Sequence, residues 1–228
     1  MAGTLRGEIM KTLRNIFDNV THSSDKWEPY FEIYERHLTP FRGKEINFVE
    51  VGVQKGGSLE MWSDFFGSQA KIIGVDVDEE CKNLKYDQTN IEIIIGNQEN
   101  ANFWKSFLNN NSKIDIFVDD GGHTMQQQII TFESIFPNMP IGSVYICEDC
   151  HTSYMPHFGG GLNNSNTFIE YAKGYVDVLH YDYKDKFSTT LENKFSIGKN
   201  LTGLYFYDSV VVFEKFGKRR MERVFPKL

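Results

Sequence analysis

The chain has 228 residues, a length that suits one domain with room for an added flap. Its 24 Lys and Arg against 31 Asp and Glu leave a net charge of −7, which argues against a protein that coats nucleic acid but leaves space for a small basic pocket. Hydrophobic residues make up 40% of the chain, with 19 Phe and 11 Tyr, so a core can be buried and global disorder is excluded.

The first residues, MAGTLRGEIMKTLRNIF, lack the apolar stretch of a secretory signal. Over residues 4–20, Leu5, Ile9, Leu13, Ile16, Phe17 and Val20 recur at helical spacing and predict an amphipathic helix. A polar turn, Thr21 to Lys26, ends in Trp27, and residues 28–38 predict a second helix with Pro29 in its first turn. Residues 40–45 read as a loop. These first 45 residues form the expected helical cap, and residues 46–228 the main domain.

From Ile46 the pattern changes to short apolar runs bounded by turn residues: 46–53, 71–78, 91–96, 114–120 and 144–150. Helical segments at 58–66, 100–108 and 124–136 lie between them, while 79–90 is compatible with a short helix or a loop. Strands alternating with helices imply βαβ units and a parallel sheet covered on both faces. Residues 151–166, rich in Gly, Asn and His, read as a long functional loop, followed by a short helix over 167–174. Two β-rich runs, 175–182 and 204–216, are expected to pair as an antiparallel hairpin across a polar stretch. The basic stretch GKRRMER (217–223) reads as solvated. No apolar run approaches the ~20 residues of a membrane span. Three cysteines, Cys81, Cys147 and Cys150, fit a reducing, cytoplasmic setting better than a disulfide scaffold. Cys147 and Cys150 sit in or beside an apolar strand and read as core thiols.

In open parallel sheets, ligands bind beyond the C-terminal ends of the strands. Here those ends are polar or glycine-rich in all five runs. The first carries Glu50, Gly52, Gln54, Gly56, Gly57 and Ser58, the second Asp76, the third Asn97 and Gln98. The glycines allow close backbone approach, and Glu50 suits a cationic ligand such as S-adenosylmethionine better than a pyrophosphate. A plain strand-to-helix turn explains the glycines equally well. Asp76 can accept ribose hydroxyls or act as a helix N-cap; Asn97 and Gln98 can reach an adenine edge or simply make a turn. The fourth and fifth runs end in Asp119, Asp120, Glu148 and Asp149. Four clustered carboxylates repel, and a hard divalent cation (Mg²⁺, Mn²⁺ or Ca²⁺) removes the conflict. His123 follows Asp120 by three and suits a general base; capping or surface exposure is its alternative. His151, Tyr154, His157 and the Gly159–Gly161 run are expected to rim the site, where the rings can stack on a sugar, unless they form an ordinary surface loop.

Taken together, SSDKW with YERH, EVGVQKGGSLEMW, GVDVD, IFVDDGGH and YICEDCHTSY resemble, in order over roughly residues 20–165, the metal-dependent class I methyltransferases that O-methylate sugars, including macrolide and tetracenomycin deoxysugars. The resemblance implies a Rossmann-like α/β fold with a seven-stranded, mostly parallel sheet, the last strand antiparallel, and helices on both faces. It implies donor binding at Glu50–Ser58, Asp76, Asn97 and Gln98; Asp119 is expected beside them to orient the donor or support the metal. It also implies a metal triad of Asp120, Glu148 and Asp149, and His123 as base. Cofactors are then S-adenosylmethionine and Mg²⁺ (or Mn²⁺), and the acceptor a sugar hydroxyl, such as that of rhamnose in a glycan or glycoside. Neither nucleic acid nor membrane is expected as a partner; a homo-oligomer is compatible. Val53 replaces the second glycine of a common G-x-G, and the large N-terminal extension of the macrolide enzymes does not precede these motifs. A catechol-type acceptor, a nucleotide-dependent oxidoreductase and a binding module without catalysis are the competing readings. The lack of G-x-G-x-x-G weighs against the oxidoreductase.

Overall fold

A computed structural model describes residues 11–180, 189–217 and 225–226. Of the helix expected over 4–20, residues 1–10 lie outside the described part. The remainder forms only α1 (Leu13–Phe17), which starts where the Thr12 side chain accepts the Asn15 amide. Then come α2 (Glu28–Leu38), β1 (Asn47–Val51), α3 (Gly57–Phe66), β2 (Lys71–Asp76), β3 (Ile91–Ile95), α4 (Ala101–Asn110), β4 (Ile116–Asp119), α5 (Met125–Ile135) and β5 (Ser143–Cys147). The segment after β2 forms a 3-10 turn, Glu79–Asn83. After β5, two 3-10 turns (Cys150–Tyr154 and Pro156–Phe158) lead to α6 (Phe168–Lys173), α7 (Val176–Leu179), α8 (Thr189–Ile197), β6 (Gly203–Phe206) and β7 (Val211–Lys215).

The seven strands make one sheet in the order β3-β2-β1-β4-β5-β7-β6. β1 to β5 pair in parallel, and β7 runs antiparallel to both β5 and β6. This is the expected Rossmann-like methyltransferase sheet. Side chains alternate across it with the two-residue period of a strand. Phe48, Ile72, Ile116, Val118 and Ile146 join α1, α2 and α3 in one apolar cluster. Val49, Val51, Ile73, Phe117, Tyr145 and Phe213 join α4, α5 and α6 in the other.

One expectation is corrected. Residues 175–180 form no strand, and residues 181 and 182 lie outside the described part. Tyr175 and Val178 are buried while Val176 is exposed, so the apolar residues fall three apart on a helical face instead of alternating. Both strands of the hairpin come instead from the second β-rich run, with Gly203 facing Glu214 and Phe206 facing Val211. The polar stretch before it contains α8. No helix among the described residues is long and apolar enough to cross a membrane.

Candidate active site

The parallel register brings the tips of β1, β4 and β5 side by side, with Val51 opposite Asp119 and Asp119 opposite Cys147. The residues just beyond these tips therefore converge. Gly52 leaves β1 at φ +99°, and a Cβ there would stand 1.9 Å from the Asp120 carbonyl oxygen, so only glycine lets the two loops touch. Asp76, at the tip of β2, shapes the same loop: its Oδ2 accepts the amides of Val53 (2.7 Å) and Gln54 (3.0 Å). Its Oδ1 accepts the Asp78 amide at 2.9 Å. Val51, Gly52, Gln54, Asp76, Gly96, Asn97, Gly121 and Gly122 border a crevice of about 210 Å³.

Several expected donor-site residues, Gln98 on the crevice wall among them, have their side chains engaged inside the protein. Glu50 is fully buried and accepts from Ser58 Oγ (2.6 Å) and Trp62 Nε1 (3.1 Å). Gln98 is buried too: Nε2 donates to Asp119 Oδ1 (3.0 Å), and Oε1 accepts the Gly122 amide (2.7 Å). Asp119 also accepts from Tyr145 (3.1 Å), and burial pushes its carboxyl up to about 7. Glu50, Ser58, Gln98 and Asp119 thus brace the crevice wall. Gly56 and Gly57 close the loop at the start of α3, packed against Tyr86 and the 22–24 segment.

The structure groups Asp120 and Asp149 of the expected triad with His123 in place of Glu148, and adds a lysine that the sequence reading missed. Asp120, His123 and Asp149 each offer a donor atom within 4.8 Å of the others, the one such group of three His, Cys, Asp or Glu among the described residues. His123 Nε2 lies 3.5 Å from Asp149 Oδ2. The Tyr30 hydroxyl donates to Asp149 Oδ1 at 2.7 Å and lies 2.8 Å from Ser209 Oγ. Glu148 borders the same pocket, but its Oε2 holds Lys26 Nζ at 3.0 Å, and Lys26 Nζ also lies 2.5 Å from Asp120 Oδ2 and 3.5 Å from Glu50 Oε1. The Lys26 side chain is only 2% exposed. Burial alone would lower its pKa; the charges of Asp120, Glu148 and Glu50 outweigh burial and leave it well above the ordinary value. Burial, then the Asp120 charge, pushes Glu148 well up. Glu148 Oε1 and His123 Nδ1 are buried without a hydrogen bond of normal geometry. The only sequence trace of Lys26 is its place in the SSDKW motif; its partners are 24, 94 and 122 residues away.

Backbone strain marks the same place. Six described non-glycine residues have positive φ. Two are asparagines, which, like aspartate and histidine, tolerate that region better than most side chains. The others are Gln54 (φ 49°), His123 (58°), Asp149 (51°) and Ser209 (65°), all in the site or bonded to it. Such conformations cost of order 1–3 kcal/mol each and collect where function demands them.

The expected rim is only partly present. His151 bonds Ser209 Oγ and lies 3.9 Å from Asp149 Oδ1, with the exposed Trp27 ring edge-on to it at 6.3 Å. Tyr154 is exposed and lies near Lys173. His157 lies tilted against Phe158 and borders a separate cleft with Met125 and Tyr171. Neither residue faces the acidic pocket.

The sequence is 31% identical over 170 residues to the 8-demethyl-8-alpha-L-rhamnosyl tetracenomycin-C 2'-O-methyltransferase of Streptomyces olivaceus, covering 70% of this chain and 44% of that protein. It is 29% identical over 192 residues to the mycinamicin VI 2''-O-methyltransferase of Micromonospora griseorubida, covering 80% and 47%. The solved structure of the MycE methyltransferase in complex with Mg and SAH superposes with a TM-score of 0.79 at 26% identity, over 91% of this chain and 55% of that one. The chain is a homologue of sugar O-methyltransferases. It spans about half the length of the relatives it matches. No protein-family model matches the sequence. In this homologue, the acidic cluster and His123 stand at the sheet edge where the fold places ligands.

Proposed function

We propose that the chain is an O-methyltransferase that uses S-adenosylmethionine and Mg²⁺ (or Mn²⁺) to methylate a sugar hydroxyl, with a deoxyhexose such as rhamnose in a glycan or glycoside as acceptor. The observation that carries this reading is the convergence of Asp120, His123 and Asp149 beside a glycine-floored crevice. The relatives' acceptors and the Mg and SAH of MycE agree with it.

The donor set fits a hard dication, because Asp120, Glu148 and Asp149 offer oxygens and Glu148 Oε1 accepts no hydrogen bond of normal geometry from the described residues. These three would hold the cation, which when bound lowers the pKa of the acceptor hydroxyl and fixes its orientation. The crevice along Gly52, Gln54, Asp76 and Asn97 would take the donor, whose sulfonium supplies the methyl group. His123 Nε2 takes the proton from the acceptor oxygen as the methyl group arrives. Asp149 Oδ2 steadies the imidazolium formed, while Tyr30 holds Oδ1 and so fixes the carboxylate plane. Asp119 acts through Gln98, which pins the Gly122 amide one residue before His123. Trp27 and His151 offer ring faces and edges to the acceptor.

The test is an acceptor screen with labelled donor and Mg²⁺, in which rhamnosides, other hexosides and catechol compete side by side. Methyl transfer to a sugar that EDTA abolishes and Mg²⁺ restores is the expected result. Transfer to catechol alone, or transfer indifferent to EDTA, overturns the reading.

A further inference from the structure

A lysine buried to 2% exposure is unusual, and this one stands inside the carboxylate cluster that the proposed function assigns to a metal. The ammonium touches Asp120 Oδ2 and Glu148 Oε2, two of the oxygens a dication needs. A single positive charge and a double one cannot both take these oxygens without strong repulsion at close range. Uncompensated buried carboxylates are costly, and where no dication is bound the Lys26 ammonium offsets that cost.

The segment carrying Lys26 is anchored at both ends and sparsely bonded between them. Its start is tied down: Glu60 accepts the Thr21 amide (2.9 Å), the Thr21 hydroxyl (3.0 Å) and the His22 amide (3.1 Å), and the Gly57 amide donates to Ser23 O (3.3 Å). Its end is tied down by α2, whose first turn begins with Tyr30 N donating to Trp27 O (3.0 Å). Between these anchors, Ser24, Asp25 and Lys26 make no backbone hydrogen bond to a described residue. Ser24 packs on Gly57, and the ammonium's bonds to Asp120 and Glu148 are the polar contacts that hold Lys26 over the pocket that Asp120, His123 and Asp149 line.

Resting on the metal reading above, we propose that Lys26 is the resident counter-cation of the metal-free site, and that an entering divalent cation displaces its ammonium and frees the 24–26 segment from the acidic pocket. Metal loading then does two things at once. It supplies charge to the carboxylates, and it uncovers the pocket the acceptor must enter. Lys26 thereby competes with the metal and keeps the cluster assembled until the metal arrives.

Acetic anhydride labelling of the intact protein, read by mass spectrometry of the Lys26 peptide, tests this with and without saturating Mn²⁺, while electron paramagnetic resonance measures Mn²⁺ binding in the same samples. Lys26 is expected to be protected without metal and at least about tenfold more reactive with it, with exposed lysines such as Lys71 and Lys113 unchanged. Bound Mn²⁺ with Lys26 still protected overturns the proposal and leaves the metal site standing. Absence of Mn²⁺ binding removes the metal reading itself, and this inference with it. The variant K26M, checked for folding by circular dichroism, is expected to bind Mn²⁺ about tenfold more tightly because the competing charge is gone. Weaker binding by folded K26M overturns displacement, since it makes Lys26 a helper of the metal.

Discussion

Asp149 joins three separate demands in one side chain. It adopts a left-handed backbone, receives the Tyr30 hydroxyl on one oxygen, and presents the other to His123. His123→Ala is therefore expected to lower kcat by about 10²- to 10⁴-fold while calorimetry shows donor binding retained; turnover close to that of the parent chain across pH 6–9 would rule His123 out as the base. Tyr30→Phe removes the part-buried hydroxyl contacts to both Asp149 and Ser209 and should cost about 2 kcal/mol in urea unfolding. It should also weaken Mn²⁺ binding, because the Asp149 carboxylate loses its support. Asp120, His123, Glu148 and Asp149 were legible one by one, since acids at neighbouring strand tips are visible in the sequence. Lys26 was not. Its tie to the cluster is made only when the segment before α2 folds over strands that lie far along the chain. The inward turn of Glu50 was hidden for the same reason. A glutamate at a strand end looks the same whether it meets a ligand or, as here, Ser58 and Trp62.

Among the elements, β1 to β5 were readable because each is a short apolar run between turn residues. The misread segment followed the same composition with a different spacing: Tyr175 and Val178, three apart, are the buried pair, and that is a helical signal within a β-rich run. The β1–α3 turn depends on a single backbone position. Gly52→Ala adds a methyl group 1.9 Å from the Asp120 carbonyl at a φ that side chains avoid. It is expected to lower stability by roughly 3 kcal/mol and to abolish donor binding, as thermal unfolding and calorimetry would register. Little change in either would mean that the loops at β1 and β4 part easily.

At the scale of the whole molecule, buried acids under the sheet edge link stability to pH. Asp119 has its pKa raised from 3.8 to about 7 by burial. Between those values the folded chain holds a proton that the unfolded chain has released, so this group's contribution to stability falls as pH rises through the window and is level above it. The melting temperature of Asp119→Asn minus that of the parent chain should therefore climb from about pH 4 to about pH 7 and then flatten. A difference independent of pH would show that Asp119 stays ionised throughout. The contact between Tyr30 and Ser209 has a consequence for synthesis. It joins the opening helices to the turn between the two final strands, on either side of Asp149. A chain still emerging from the ribosome can already have made its glycine turn and its first five strands, yet Asp149 waits for a serine that is translated sixty residues after it. Growing polypeptides are thus expected to close the β1–α3 turn well before the surroundings of Asp149 are complete, a step that waits for residue 209 to emerge.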